Sequence, residues 1–291
     1  MSSYICVYCR KRWIYLLCDD NTARIIKGHI GRSKRFKISG IIEVAGQKYK
    51  ILGIGWRSFN KPKRLKHITF PDSIEYVDED EFTFLPKLQT VHIGKGLEDL
   101  FDWHFRRSGR QVQIFIDKDN PYIKLSGNFI LTGDGKTLLR TNKRCSRYII
   151  PEGVETLCAC SMWENEMLEE VTFPSTLKVI GDNGLSNNPK IKKMIFPEGF
   201  ETFDEQGLVN NIGLKYLDLP STLKRLAESL CGCIALKYLI IRTNHVFDEQ
   251  NLYLDDIPSY CLVVVPDDIV EDYKRHPVWG KFIIKSLSSI S

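Results

Sequence analysis

Apolar residues return at a fixed interval through the second half of the chain. Segments with an alternating apolar pattern followed by proline start at Leu168, Ile191 and Leu214, each 23 residues after the last, and a fourth starts at Leu236. Further apolar residues follow each start after nine, twelve and about seventeen positions: Leu177, Phe200 and Leu223; Ile180, Phe203 and Leu226; Leu185, Leu208 and Leu230. A strict period of this length predicts stacked repeats, because one short unit cannot bury its apolar face alone.

Within each unit, the alternation predicts a short strand. In the unit that begins at Leu168, Val171 points inward while Glu170 and Thr172 point outward. The proline that follows lacks a donor for the strand ladder and turns the chain away. A period of roughly 20–29 residues with this strand is typical of leucine-rich repeats. The pattern therefore predicts an α/β leucine-rich-repeat solenoid, with a right-handed superhelix, a parallel concave sheet and an irregular or short-helical convex side.

A polar column accompanies the repeats. Its members lie three residues before successive strand segments: Asn165, Asn188, Asn211 and Cys233. Loop backbone groups inside a solenoid need hydrogen-bond partners, since orphaned polar groups are costly. We interpret the column as a buried ladder that supplies these partners.

The pattern divides the chain into three parts. Residues 1–50 contain short alternating segments at 13–17, 23–26, 36–38, 41–44 and 48–51, which predict an N-terminal β-rich cap. Residues 51–258 hold the repeats, with a hairpin insert at about 117–147 on an Asp134-Gly135 turn. Residues 259–291 form a C-terminal cap with a strand at 261–266, a short helix after Asp267, and Trp279.

Several segments have a distinctive sequence. They are the units at residues 68–74 (ITFPDSI) and 171–181 (VTFPSTLKVIG), the insert at 117–122 (DKDNPY) with 133–139 (GDGKTLL), and the ending at 265–273 (VPDDIVEDY). Together these segments resemble the BspA-like leucine-rich repeats of bacterial surface antigens. This resemblance implies a curved solenoid that binds proteins, often in adhesion or host interaction at the cell surface. The N-terminus has no convincing signal peptide, and nine cysteines are an odd number, so a cytoplasmic location is the expectation from the residues. Surface display or secretion is the alternative that the resemblance implies.

Candidate catalytic and metal chemistry is sparse. Cys6 and Cys9 have zinc-ligand spacing, and Cys18 could be a third ligand, but no fourth ligand has matching spacing. Lys136 and Thr137 follow Gly135 as at the end of a phosphate-binding loop, yet Ile130 stands where that motif needs glycine. Recognised zinc-helix, nucleophile-elbow and dinucleotide motifs are absent from the sequence. We therefore expect neither an enzyme nor a cofactor or metal, and no run is long enough for a membrane span.

Charge is unevenly distributed. Residues 1–150 carry 28 Lys and Arg against 15 Asp and Glu, whereas residues 151–291 carry 13 against 21. Basic clusters lie at residues 10–12, 32–37, 61–66, 106–110 and 143–147. Polyanion or nucleic-acid binding by the basic half is thus the alternative function. Nucleic acid is disfavoured because the aromatic stacking platforms of known binding modules are not recognisable.

The outward strand positions are the best candidates for a binding site, since solenoids present a broad concave sheet. We expect a protein partner to contact residues from this face: His67, His92, Phe115, Glu170, Lys193, Tyr216, Asp218 and Tyr238. Tyr216 and Tyr238 share a column, with Ile195 and Ile240 beside them, and outward aromatics beside apolar residues are typical of interface anchors. The alternative is a tyrosine ladder that only stabilises the sheet.

Overall fold

The computed structural model describes residues 4–10, 12–55, 58, 62–78, 82, 85–100, 112–248 and 252–290. The chain divides into two compact units. The first comprises Met1–Asp134 with Leu139–Lys143, and the second comprises Gly135–Leu138 with Arg144–Ser291. Strand β13 (Thr137–Thr141) has residues in both.

The described part of the first unit is built from short strands. In chain order they are β1 (Tyr4–Arg10), β2 (Trp13–Cys18), β3 (Thr22–Lys27), β4 (Arg35–Lys37), β5 (Ile41–Val44), β6 (Gln47–Ile54), β7 (His67–Thr69), β8 (Tyr76–Val77), β9 (Thr90–Ile93), β10 (Gln113–Ile116), β11 (Ile123–Ser126) and β12 (Phe129–Thr132).

The N-terminal strands form a mixed sheet with the order β1-β2-β3-β6-β5, and β8 also pairs with β6. The β5–β6 hairpin turns at Ala45 and Gly46, whose φ angles of 50° and 83° place both in the left-handed region that a tight hairpin turn requires. The strands predicted from alternation are present. Strand β6 continues through residue 50, where the predicted cap boundary falls.

Four further strands of the first unit form a parallel ladder with the order β10-β9-β7-β4, whereas β11 and β12 join the sheet that continues with β13. His67 is opposite Thr90, and Thr90 is opposite Gln113, so the 23-residue period is the register of the sheet. Between these outward positions, Ile68, Val91 and Ile114 are each 0% exposed. The predicted alternation is confirmed for this ladder.

The second unit repeats this arrangement. In chain order its other strands are β14 (Arg147–Ile149), β15 (Thr156–Leu157), β16 (Glu170–Thr172), β17 (Val179–Ile180), β18 (Lys193–Ile195), β19 (Thr202–Phe203), β20 (Tyr216–Leu219), β21 (Tyr238–Ile241), β22 (Leu262–Val265) and β23 (Ile283–Ser286). Parallel pairing joins β14 to β16, and joins β18-β20-β21-β22-β23 in that order.

The two-residue strands β15, β17 and β19 form a second parallel ladder with β13, in the same 23-residue register from Thr156 onward. Turns connect the two ladders. Among the described residues of the repeats there is no helix. The character of the convex side stays a prediction.

The core of the second unit lies between its two ladders. The predicted apolar columns are buried to 0–1% exposure, as for Leu177, Phe200 and Leu223. Phe196, Phe200 and Phe203 form one aromatic cluster with ring centroids 4.7–5.1 Å apart. Each repeat therefore shares its core with the next, which is how a solenoid gains stability.

The C-terminal residues contain all the helices that the structure describes. A 3-10 turn at Asp267–Ile269 leads into α1 (Val270–Arg275), and further 3-10 turns lie at Trp279–Lys281 and Leu287–Ile290. Trp279 is 0% exposed. The right-handed sense of the superhelix and the capping role of the N-terminal sheet stay predictions.

Candidate functional site

Parallel pairing in register aligns the outward side chains of successive strands into columns. Because side chains alternate along a strand, each three-residue strand contributes two outward positions and one inward position. The candidate residues lie on these outward positions in both units. Each unit therefore presents its own face, and the two faces are described separately.

The first unit carries a groove of about 490 Å³ on the outer face of its parallel ladder. Strands β4, β7, β9 and β10 line it with eight residues: Arg35, Phe36, Lys37, His67, Thr69, Thr90, His92 and Phe115. Three of the predicted site residues, His67, His92 and Phe115, are thus brought together. A volume of this size is within the range of ligand-binding clefts.

Aromatic stacking and one hydrogen bond order this groove. The His92 ring stacks on the Phe115 ring with centroids 4.7 Å apart and an angle of 11° between planes. His67 Nδ1 lies 2.8 Å from Thr90 Oγ1. Partial burial of the ring, followed by the nearby Arg35, Lys66 and His92, lowers the pKa of His67. The imidazole is therefore held toward its neutral form.

Sequence reasoning did not place Arg35 and Lys37 in this groove. It assigned the segment around Phe36 to the N-terminal cap, whereas β4 pairs in parallel with β7, and Arg35 is opposite His67. These partners are 32 residues apart instead of 23, so the repeat period did not identify β4 as the first strand of the ladder. The sequence identified the basic cluster at residues 32–37 but did not predict its position in the parallel ladder. The cluster at residues 106–110 lies outside the described residues.

In the second unit, Glu170 forms an exposed ion pair on the outer face of β14 and β16. Arg147 Nε donates to Glu170 Oε2 at 2.7 Å. Both side chains are more than half exposed, so the pair contributes little to stability. Ile149, two residues from Arg147 on the same strand, is 66% exposed.

Tyr216 and Tyr238 lie opposite each other on β20 and β21, as the period predicts. Their ring centroids are 6.3 Å apart, and Lys193 Nζ lies 4.8 Å from the centroid of the Tyr216 ring. Tyr238 is 48% exposed and Ile195, on the neighbouring strand β18, is 50% exposed. Lysine, aromatic and aliphatic side chains therefore form one exposed surface.

Two residues expected on this exposed surface are buried. Asp218 is 6% exposed because Arg242 covers it: Arg242 Nε donates to Oδ1 at 2.8 Å and Nη2 donates to Oδ2 at 2.9 Å. Ile240 is also only 6% exposed. The Tyr216 hydroxyl donates to Asp218 Oδ2 at 3.4 Å, and burial, then the neighbouring Asp218, raises the pKa of Tyr216. Asp218 therefore orders the face from beneath, and Arg242 is a residue that the sequence analysis missed.

The two cysteines with zinc-ligand spacing lie on one extended strand. Cys6 and Cys9 lie on β1, an extended strand, and residues three apart on a strand point to opposite faces. All nine cysteines are free thiols. Within the described ranges, no three His, Cys, Asp or Glu side chains are grouped so that they could hold a metal ion. The described helices also include none with the length and apolar character of a membrane span.

The reactivity of the thiols tests whether Cys233 and Cys261 are buried. Burial raises the pKa of Cys233 to about 12 and that of Cys261 to about 12, so at pH 8 roughly one thiol in ten thousand is the reactive thiolate. Cys6 and Cys9 are exposed. We expect iodoacetamide at pH 8 to alkylate Cys6 and Cys9 and to leave Cys233 and Cys261 intact, as read by peptide mass spectrometry. In concentrated urea all nine should react, and equal rates in native protein would contradict the burial.

Comparison with known proteins agrees with the repeat architecture. A family model described as BspA type leucine rich repeat region matches residues 33–127 and 140–253 in six copies. The matched region includes β4, which supports its place in the ladder. No curated protein matches the chain.

Two solved structures share the fold. The pneumococcal vaccine antigen PcpA is 14% identical, over 97% of this chain and 98% of that chain, with a TM-score of 0.51. A leucine-rich repeat protein from Eubacterium ventriosum is also 14% identical, over 98% of this chain and 85% of that chain, with a TM-score of 0.54. The paired ladders and these matches define a leucine-rich repeat protein. Specifically, the chain belongs to the BspA-type leucine-rich repeat family.

Proposed function

We propose that this chain is a non-enzymatic binding scaffold whose second unit recognises a protein partner. The contact surface is the strand face that carries Lys193, Ile195, Tyr216 and Tyr238. The observation that supports it best is the tyrosine pair, with ring centroids 6.3 Å apart, in which Tyr216 is half-buried and Tyr238 is 48% exposed beside a half-exposed isoleucine. Proteins of this class are generally interaction modules and present their strands as binding surfaces.

The chemistry of this face fits a protein partner. Tyrosines are enriched among the residues that dominate binding energy, because they bury a large apolar area and still carry a hydroxyl. Ile195 adds apolar area next to them, and Lys193 and Glu170 add charge on neighbouring strands. A centre of aromatic and aliphatic groups with charges around it is the usual anatomy of a protein interface.

Tyr216 is ordered before any partner arrives. Its ring has the Lys193 ammonium over one face, and its hydroxyl is bonded to an aspartate that Arg242 holds with two hydrogen bonds. A side chain that is already immobile loses little conformational entropy on binding. The buried Asp218–Arg242 pair therefore supports recognition although Asp218 itself is not exposed.

Replacing both tyrosines by alanine tests the proposal. We expect Tyr216→Ala/Tyr238→Ala to weaken binding to a partner by about tenfold or more, since truncating a central aromatic anchor commonly costs at least about 1–2 kcal/mol. Partners would be captured from lysates at low and high salt, identified by mass spectrometry, and titrated as purified proteins. Retention at high salt is expected for a largely apolar contact.

A matched control distinguishes this contact from general tyrosine chemistry. Tyr253 and Tyr260 are 53% and 60% exposed in the same unit but lie outside its strands, so Tyr253→Ala/Tyr260→Ala should leave affinity unchanged. The sheet-stabilising alternative predicts instead a lower melting temperature for Tyr216→Ala/Tyr238→Ala with unaltered affinity. Unaltered affinity for every captured partner would show that the face is not the binding site.

A further inference from the structure

The groove of the first unit has a chemistry of its own. Two basic side chains of β4, Arg35 and Lys37, lie at one side, and the stacked rings of His92 and Phe115 lie at the other. We call it the basic groove and define it by six residues: Arg35, Lys37, His67, Thr90, His92 and Phe115. It lies wholly within the first unit, so it is independent of the tyrosine face proposed above.

The electrostatic character of the basic groove is positive. Arg35 and Lys37 are exposed, and no ion pair joins either to a carboxylate in the described part of the chain. None of the eight lining residues is acidic. The charged neighbours that act on His67 are Arg35 from β4, Lys66 beside it, and His92 from β9, and all of them oppose a further positive charge. A ligand that enters the groove with negative charge therefore relieves repulsion among these groups.

The opposite side of the basic groove is apolar and flat. Phe115 is 43% exposed, and its ring is held parallel to His92 by stacking. A large aromatic side chain left open on a sheet offers contact area to a ligand. The groove thus combines charge recognition at β4 with apolar contact at β10.

The span of the groove sets the length of its occupant. Neighbouring strands are about 4.8 Å apart, so the three steps from β4 to β10 span about 14 Å. An extended peptide advances by about 3.3–3.6 Å per residue and covers that distance with about four residues. Between the two ends, Thr69, Thr90 and His67 present hydroxyl and imidazole groups that can bond to a peptide backbone.

We propose that the basic groove binds an acidic peptide segment of a partner protein, with its carboxylates on Arg35 and Lys37 and an apolar or aromatic side chain against Phe115. Guanidinium and ammonium groups are the natural partners of carboxylates. Specificity comes from requiring both an acidic and an apolar group about 14 Å or less apart.

Fluorescence anisotropy with the full chain tests this directly. The probe is a labelled pentapeptide with two glutamates at one end, two glycines in the middle and one phenylalanine at the other end, so that its acidic and aromatic ends span the groove. Its counterpart replaces both glutamates by glutamine. We expect the acidic peptide to bind, the neutral peptide to bind at least about tenfold more weakly, and the difference to shrink as salt is raised.

Variants locate the binding in the groove. Arg35→Gln/Lys37→Gln should weaken the acidic peptide roughly tenfold, since two exposed charge pairs are lost, and Phe115→Ala should weaken it severalfold. The matched control is Lys63→Gln/Arg64→Gln, which removes the same charge from exposed residues of the same unit outside the groove. It should leave affinity within about twofold, because exposed charges beyond the contact are screened.

Histidine titration by NMR gives a readout that bulk charge would not produce. An acidic peptide seated beside His67 stabilises the imidazolium, so the pKa of His67 should rise when the peptide is saturating. The NMR signals of His245 in the second unit, which is exposed, should stay unchanged when the peptide is added.

Four results would overturn the proposal. The first is equal affinity for the acidic and neutral peptides. The second is equal loss of affinity in Lys63→Gln/Arg64→Gln and Arg35→Gln/Lys37→Gln, which would assign binding to net charge. The third is tighter binding of a DNA oligonucleotide of the same charge that Arg35→Gln/Lys37→Gln abolishes. The fourth is self-association of the chain that the same variant abolishes. The third or fourth result would mean that the groove binds nucleic acid or a second copy of the chain. None of these outcomes bears on the tyrosine face.

Discussion

Asn188→Ala is expected to lower the free energy of unfolding by about 3–5 kcal/mol, because it removes a fully buried hydrogen-bonding centre. Asn188 Nδ2 donates to the carbonyl oxygens of Leu185 at 3.0 Å and of Met162 and Ser186 at 3.1 Å each. Its Oδ1 accepts from the amide of Asn165 at 3.0 Å. Alanine leaves the Met162 carbonyl and the Asn165 backbone N–H without these partners, and each orphaned group costs about 1–3 kcal/mol. The Leu185 carbonyl keeps its bond from Asn211 Nδ2, and the Ser186 carbonyl keeps its bond from the Glu164 backbone N–H.

The effect should spread beyond one repeat. The amide of Asn188 itself donates to Asn211 Oδ1 at 2.9 Å, so the polar column links successive turns. Repeat arrays derive stability from such nearest-neighbour contacts. Chemical denaturation followed by circular dichroism measures the loss. Asn244→Ala removes the same side chain from an exposed position and should change stability by less than about 0.5 kcal/mol. Similar losses in both variants would show that the column is not the stabilising feature.

Trp279→Ala is expected to destabilise the C-terminal part of the second unit by about 3–5 kcal/mol. The indole is 0% exposed, its ring centroid is 5.3 Å from that of Tyr273 and 6.2 Å from that of Phe282, and Nε1 donates to the Phe247 carbonyl at 2.8 Å. Alanine would leave a cavity and an unpaired carbonyl, whereas Trp279→Phe keeps part of the packing and should cost less.

Hydrogen exchange would locate this second effect. Protection should fall first in α1 and β23, which lie next to Trp279 in the chain, before it falls in β18 and β20. Tyr260→Ala, which truncates a 60% exposed aromatic in the same unit, should leave protection unchanged. Uniform loss of protection through the unit in Trp279→Ala would mean that the C-terminal residues have no separate stability.

The buried polar column was predicted from the sequence. Its spacing alone predicted a buried ladder that supplies partners to loop backbone groups, and Asn165, Asn188 and Asn211 are buried and bonded in this way. Cys233 takes the same position with a weaker contact of 3.7 Å from Sγ to the Leu208 carbonyl. The prediction is confirmed because burial of the column follows from the period itself.

The sequence pattern predicted only part of the candidate site. Alternation placed His67, His92, Phe115, Lys193, Tyr216 and Tyr238 on outward positions, and the structure has them there. Asp218 occupies an outward position as well, yet a guanidinium from a residue 24 positions later covers it. Strand direction can be read from a pattern, but coverage by a neighbouring side chain cannot.

The sequence by itself determined the repeat architecture, the inward and outward positions of most strands and the buried polar column, because these follow from a local period of 23 residues and a strand period of two. Only the tertiary structure decided that Arg35 lies opposite His67 and Lys37 opposite Thr69, and that Cys6 and Cys9 lie three residues apart on an extended strand. Those facts depend on a pairing that breaks the period and on the backbone conformation of one segment. Pairing between distant strands depends on how they pack into the shared core, so it cannot be predicted from a local sequence pattern.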